Sequence, residues 1–290
     1  VRSHPTTVGE RDRLGGVATP YAASVTSPSL TLTLWAGAWL GGHASPDDVI
    51  DALHTWAPTH VLCAADDDVA RSAGLPERGV VDGAATLLTT VRTVDTVRAA
   101  GLRLVLAAPG DARGLPAGTA FAAAAMDARQ GILVGVPGAP GAGLVPVVEG
   151  PDVLRWTVFT VDPIPDPGAV PSLGEAEFAI REAVRDAAAT LTGIPTVGSG
   201  TDIGDPRSRI ASAAAELARH RYPSSLPVRA ARVLDSADQV EAILTVAAGG
   251  GAERAGSASG TSGREEALRA LSSALRVARS GAVAAALHGH

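Results

Sequence analysis

Asp111 and Arg113 stand two residues apart in the run Pro109-Gly110-Asp111-Ala112-Arg113-Gly114-Leu115-Pro116, just after the apolar stretch 102–108. Loops leaving the carboxyl ends of apolar strands are where sheet proteins gather ligand sites, and an acid beside a guanidinium can orient a polar ligand. The same pair can equally brace the turn, or hold the loop against neighbouring helices. Arg155, in the alternating segment 153–161, is the third candidate ligand-binding residue. Asp47, Asp51 and His54 follow one another at i, i+4 and i+7, with His43 and His60 nearby. A helix would turn these carboxylates and the imidazole to one side, a donor set suited to Zn, Mn or Fe. Val49, Ile50, Leu53 and Trp56 define the opposite, buried side, so the Asp/His side reads as an ordinary solvated face and no metal site is expected. Asp66-Asp67-Asp68 could hold Mg²⁺ against a phosphate, but it has no Gly-rich partner loop to cradle one and reads as a solvated loop. Cys63, inside Val61-Leu62-Cys63-Ala64, reads as a small buried hydrophobe.

Other chemistry is excluded outright. All 24 basic residues are Arg and none is Lys, which removes any Schiff-base, P-loop or general-base lysine from this chain. The Ser-Gly clusters at 198–200 and 256–263 do not form a Gly-x-Ser-x-Gly elbow and follow no strand. The glycines of 138–143 are interrupted by Pro140 and are not poised between a strand and a helix, as a dinucleotide fingerprint requires. No cofactor is implied. Up to residue 170 there are 17 acids against 11 Arg, and beyond it 13 against 13, with no Arg run and 3% aromatic residues. Nucleic-acid binders need a positive stripe to neutralise phosphates, so the balance argues against such a partner. A regulator of nucleic acid would require the fold to gather Arg207, Arg209, Arg219, Arg221, Arg229 and Arg232 into one patch. Residues 1–16 hold no apolar leader segment, and no run of eighteen apolar residues follows. The expected location is the cytoplasm, with no membrane contact.

The elements that must position these side chains divide near residue 170, where Gly/Pro-rich sequence with short apolar strands gives way to Ala-rich helical sequence. Ser45-Pro46-Asp47-Asp48 is a strong helix start, with Ser as N-cap, Pro at the first position and acids favoured by the helix dipole. Helices are predicted at 29–41, 46–57, 82–99 and 121–130, and strands at 60–64, 102–108, 132–136 and 153–161. In the last strand Leu154, Trp156 and Val158 take one face and Arg155, Thr157 and Phe159 the other. Beyond the prolines of 163–171, four helices are predicted at 173–192, 206–221, 227–248 and 264–287, the last with the stripe Leu268, Leu271, Leu275 and Ala278. The fold class is therefore α+β: a small mixed sheet with covering helices, then an Ala-rich α-helical bundle. The organisation expected is a disordered arm over 1–26, an α+β domain over 27–162, a Pro-rich linker over 163–172, and the bundle over 173–290 with a flexible loop at 249–263.

Three segments carry a resemblance when taken together and in order: Gly110-Asp111-Ala112-Arg113-Gly114-Leu115-Pro116, Leu173-Gly174-Glu175-Ala176-Glu177, and Tyr222-Pro223-Ser224-Ser225-Leu226-Pro227 with Arg229-Ala230-Ala231. They resemble an uncharacterised group of actinobacterial proteins over most of 30–287. The resemblance implies an actinobacterial source and no assigned activity, so no catalytic residue is carried over.

With motifs absent and the helical half neutral, the first functional expectation is a non-catalytic cytoplasmic protein. It would act by interaction or assembly, binding a protein partner or its own copy through the helical bundle. The alternative is a small-molecule-binding protein or enzyme whose site lies where the sheet meets the bundle, using Asp111, Arg113 and Arg155.

Overall fold

In the chain's computed structural model residues 27–76, 81–94, 101–193, 205–249 and 258–288 are described. Apolar alternation builds a six-stranded sheet in the order β2-β1-β6-β5-β4-β3. Its strands are β1 (Thr59–Ala64), β2 (Val81–Asp82), β3 (Leu102–Val105), β4 (Gly131–Val134), β5 (Gly141–Val148) and β6 (Val153–Val161). β1 and β6 run parallel while the other neighbours are antiparallel, so the sheet is mixed. Leu154, Trp156 and Val158 of β6 are buried on one face among residues of α1 (Pro28–Leu40), α2 (Pro46–His54), α3 (Asp67–Ala73) and α4 (Ala84–Val94). On the other face Phe159 and Val161 pack with Phe121 of α5 (Ala120–Ala128).

α1 is apolar all round its circumference, the pattern of a helix buried on every side. Leu32 and Ala36 enter the core beneath the sheet, whereas Leu30 and Leu34 enter the core of the C-terminal helical region. That region consists of α6 (Leu173–Gly193), α7 (Pro206–Leu217), α8 (Val228–Gly249) and α9 (Ala258–His288). Together with the sheet and its covering helices it makes the α+β class expected of the sequence. Leu268, Leu271, Leu275 and Ala278 of α9 turn inward into this core with Val233, Leu234 and Ala237 of α8. The fully buried Arg279 bonds to Asp238 and Glu241 of α8, and Tyr222 donates its hydroxyl to Asp238 at 2.8 Å. A buried cation is tolerated because carboxylates face it. Ser172 and Glu175 cap α6 reciprocally, the Ser172 N–H donating to the Glu175 carboxylate at 2.8 Å. Glu177 then ties α6 to Arg229 of α8 at 3.1 and 3.2 Å.

The structure differs from the sequence reading at five places. Asp66 is not part of a loose acidic loop: its side chain accepts from the Val69 N–H at 2.9 Å and caps α3. β5 begins at Gly141 and runs through Gly143, which leaves the space that the Phe121 ring occupies. The strand over 102–108 stops at Val105, and α9 begins at Ala258, so the residues 258–263 read as flexible loop are helical. The loop's residues 250–257, like the arm 1–26, lie outside the described residues. The proline-rich segment over 163–172, the proline-rich arm of the cavity described below, lies against the sheet. Ile164 is buried, its N–H donates to the Ala139 carbonyl at 2.9 Å, and its carbonyl accepts from the Gly138 N–H at 2.9 Å.

Candidate ligand-binding site

Pro109 and Gly110 reverse the chain after β3. Ala108 and Asp111 exchange N–H···O bonds of 3.1 and 2.8 Å, and Gly110 supplies the φ of +80° that the turn demands. The reversal brings Asp111 toward α9. Its carboxylate accepts from Arg113 Nε and Nη2, both at 2.7 Å, and from Arg276 of α9 at 3.5 Å. The Arg113 guanidinium holds the Asp111 carboxyl below its ordinary range, with burial opposing and Arg276 assisting.

Beside this pair lies a cavity of about 340 Å³ walled by 101–106, the proline-rich arm over 163–172 and the last turns of α9. β3 is the outermost strand, so the cavity sits at the sheet's edge, under the arm. Leu104, Leu106, Ile164, Val170, Val283 and Leu287 give it hydrocarbon walls, and Arg103, Asp111, Arg113 and Arg276 give it charge. Arg103 donates Nη1–H to the Pro165 carbonyl at 2.7 Å, while its Nε and Nη2 have no hydrogen-bond partner among the described residues. Burial pushes the Arg103 guanidinium below its ordinary pKa, with the charge of Asp166 opposing. Arg276 is depressed in the same way by burial, which its contact with Asp111 offsets in part.

Asp111 and Arg113 therefore meet at this cavity, and Arg155 does not join them. Arg155 pairs with Glu149 at 2.5 Å on the other part of the sheet, 3.2 Å from Thr157 Oγ1 and 3.9 Å from Cys63 Sγ. Sequence reasoning missed Arg103 and Arg276. The signal for Arg103 was present, as the one charge inside an otherwise apolar strand. Arg276 lies 165 residues from Asp111, and no local pattern marks it.

The remaining candidates sit elsewhere. Asp47, Asp51 and His54 are exposed on α2 with Val49 and Leu53 turned inward. His60 is buried, accepting from Trp156 Nε1–H at 3.1 Å. Among the described residues no group of three or more His, Cys, Asp or Glu could hold a metal ion. Arg219 pairs with Glu216 and Arg229 with Glu177, which spends two of the arginines that a nucleic-acid patch would need. Among the described residues no helix is long and apolar enough to cross a membrane.

Models of the Rv1486c-like protein's N-terminal and C-terminal domains match residues 29–171 and 174–280. The chain is 40% identical over 288 residues to the uncharacterised protein Rv1486c of Mycobacterium tuberculosis, covering 90% of this chain and 97% of that one. It is 36% identical over 293 residues to the uncharacterised protein ML1804 of Mycobacterium leprae, with the same coverage. No solved structure matches. These matches bear out the resemblance to uncharacterised actinobacterial proteins, and the chain belongs to the Rv1486c-like family.

Proposed function

We propose that this protein binds a small organic molecule in the cavity between β3, the proline-rich arm and α9. One observation carries the reading: a largely apolar cavity of about 340 Å³ with Arg103, Asp111, Arg113 and Arg276 at its wall. Concave apolar pockets with a few convergent polar groups are the usual form of a small-molecule site, and this volume is at the lower end of their range. The side chains come from a strand, a loop and a long helix, so the fold fixes their mutual placement. The reading is one of binding. The location proposed with it is the cytoplasm, in keeping with a chain whose single cysteine leaves no intrachain disulfide to form.

Native mass spectrometry of the full chain, purified gently from its host, tests the proposal together with the variant Ala284→Phe, which places a ring into the cavity from α9. A stoichiometric small-molecule adduct that the variant loses, with its helical content intact, is the expected result. A bare chain in both preparations, or an adduct that Ala284→Phe retains, would contradict it.

A second reading, interaction through a helical bundle, is favoured by Phe178 on α6, which is 62% exposed, and by Ile243 on α8. The stripe Leu268, Leu271 and Leu275 is already spent on the chain's own core, so a partner or a second copy would have to use the outer faces of α6 and α8. Unchanged oligomeric state in Phe178→Asp, read by light scattering, counts against this reading.

A further inference from the structure

The wall of the cavity carries more positive charge than it neutralises. Arg103 has Nε and Nη2 without hydrogen-bond partners among the described residues, and Asp166 acts on it through space. Arg276 touches Asp111 at 3.5 Å, the outer limit of a hydrogen bond, and its Nε has no partner among the described residues. Asp111 is meanwhile held by Arg113 through two bonds of 2.7 Å, a bidentate grip that commits its carboxylate away from Arg276. The lining thus holds three guanidiniums, of Arg103, Arg113 and Arg276, and one carboxylate, that of Asp111, which bonds to Arg113 and Arg276. Buried charge without a matched partner is unfavourable, so the site is electrostatically incomplete as it stands. Elsewhere on the lining, Val283 and Leu287 of α9 and Val170 of the proline-rich arm offer hydrocarbon. The volume of about 340 Å³ lies at the lower end of the range of small-molecule sites and suits a compact occupant.

We infer that the occupant is a small amphipathic anion, with one acidic headgroup set against Arg103 and Arg276 and a short apolar body against α9. The inference rests on the binding reading above. Asp111 then acts as a competitor: it repels the headgroup and draws on the same Arg276. This gives the inference a sign that a merely structural role for the cluster lacks, because removing the acid must tighten binding while removing either arginine must weaken it.

Calorimetric titration of the full chain with octanoate, hexyl phosphate and neutral octanamide tests it. One acidic probe is expected to bind at 1:1, about tenfold or more tighter than octanamide, and whichever acid binds tighter identifies a carboxylate or a phosphate headgroup. Arg103→Gln and Arg276→Gln should each weaken it about fivefold or more, and Asp111→Asn should strengthen it. The probe series on the unaltered chain decides the matter even where an arginine variant does not fold. Equal binding of octanamide, or weakening by Asp111→Asn, overturns the inference. If octanamide binds as well and Ala284→Phe abolishes it, the cavity reading survives and the anion falls. Absence of heat from every probe overturns the anion, and the adduct in native mass spectrometry then decides the cavity reading by itself.

Discussion

His60 shows how a single residue couples the sheet to its covering helices. Its Nδ1 accepts from Trp156 Nε1–H at 3.1 Å and its Nε2 lies 3.0 Å from the Leu53 carbonyl, so the neutral ring carries its proton on Nε2. Burial holds its pKa below the ordinary 6.5, with the neighbouring His54 adding to the effect against the Leu53 bond. The native state therefore resists a proton that the unfolded chain accepts near 6.5. This contribution to stability is complete above pH 6.5 and declines as the pH falls from there toward the depressed native value, by at most about 1.4 kcal/mol per pH unit. Burial lowers the pKa of His220 too, adding in the same direction. Urea unfolding between pH 5 and 8 should show stability falling below pH 6.5, less steeply in His60→Asn. A flat profile in the unaltered chain would show that His60 is not held neutral. The same scale shows what was legible of the site. Asp111 and Arg113 announce themselves because a Pro-Gly turn follows an apolar strand, whereas Arg103 and Arg276 gain their meaning only when β3 and α9 are brought together. Arg155 fits the pattern of a candidate equally well, and the fold sends it to Glu149 instead.

Among the elements, β5 is where sequence pattern and structure part most clearly. Glycine and proline lower strand propensity, yet Gly141–Val148 is an eight-residue strand between β4 and β6. A Cβ on Gly143 would come within 2.2 Å of Phe121 Cδ2, and one on Gly141 within 2.4 Å of the Val134 carbonyl oxygen. These glycines are selected by close approach, which no local propensity reports. Pro146 lies past Ile132–Leu144, the last β4 partnership, where the strand's outer edge is free of β4. Gly143→Val is therefore expected to destabilise the protein by about 1–3 kcal/mol despite the higher strand propensity of valine, because the Phe121 ring must move within a packed core. Guanidinium unfolding measures it, and a variant as stable as the parent would mean that Phe121 is not packed on β5. By contrast α2 was legible from Ser45-Pro46-Asp47-Asp48 alone, since its capping box is a local device: Ser45 and Asp48 satisfy one another within a single turn.

At the scale of the whole molecule, α1 joins two cores that the sequence presents as separate textures. Leu30 and Leu34 pack with α6, α8 and α9, while Leu32 and Ala36 pack under the sheet. Trp35 donates to the Arg221 carbonyl at 2.9 Å, and Trp56 stacks on His220 with ring centroids 3.7 Å apart, so the turn after α7 is pinned to the sheet's helices. The cavity depends on this union, because one wall belongs to β3 and another to α9. Neither the change of composition near residue 170 nor the neutral charge of the helical half could reveal it. The most direct test is a crystal structure of the gently purified full chain. The expected result is density in the cavity for a compact molecule whose acidic headgroup lies within hydrogen-bonding distance of Arg103 or Arg276. A cavity closed by α9 settling against the arm, or one holding only water while the protein retains no adduct in native mass spectrometry, would contradict it.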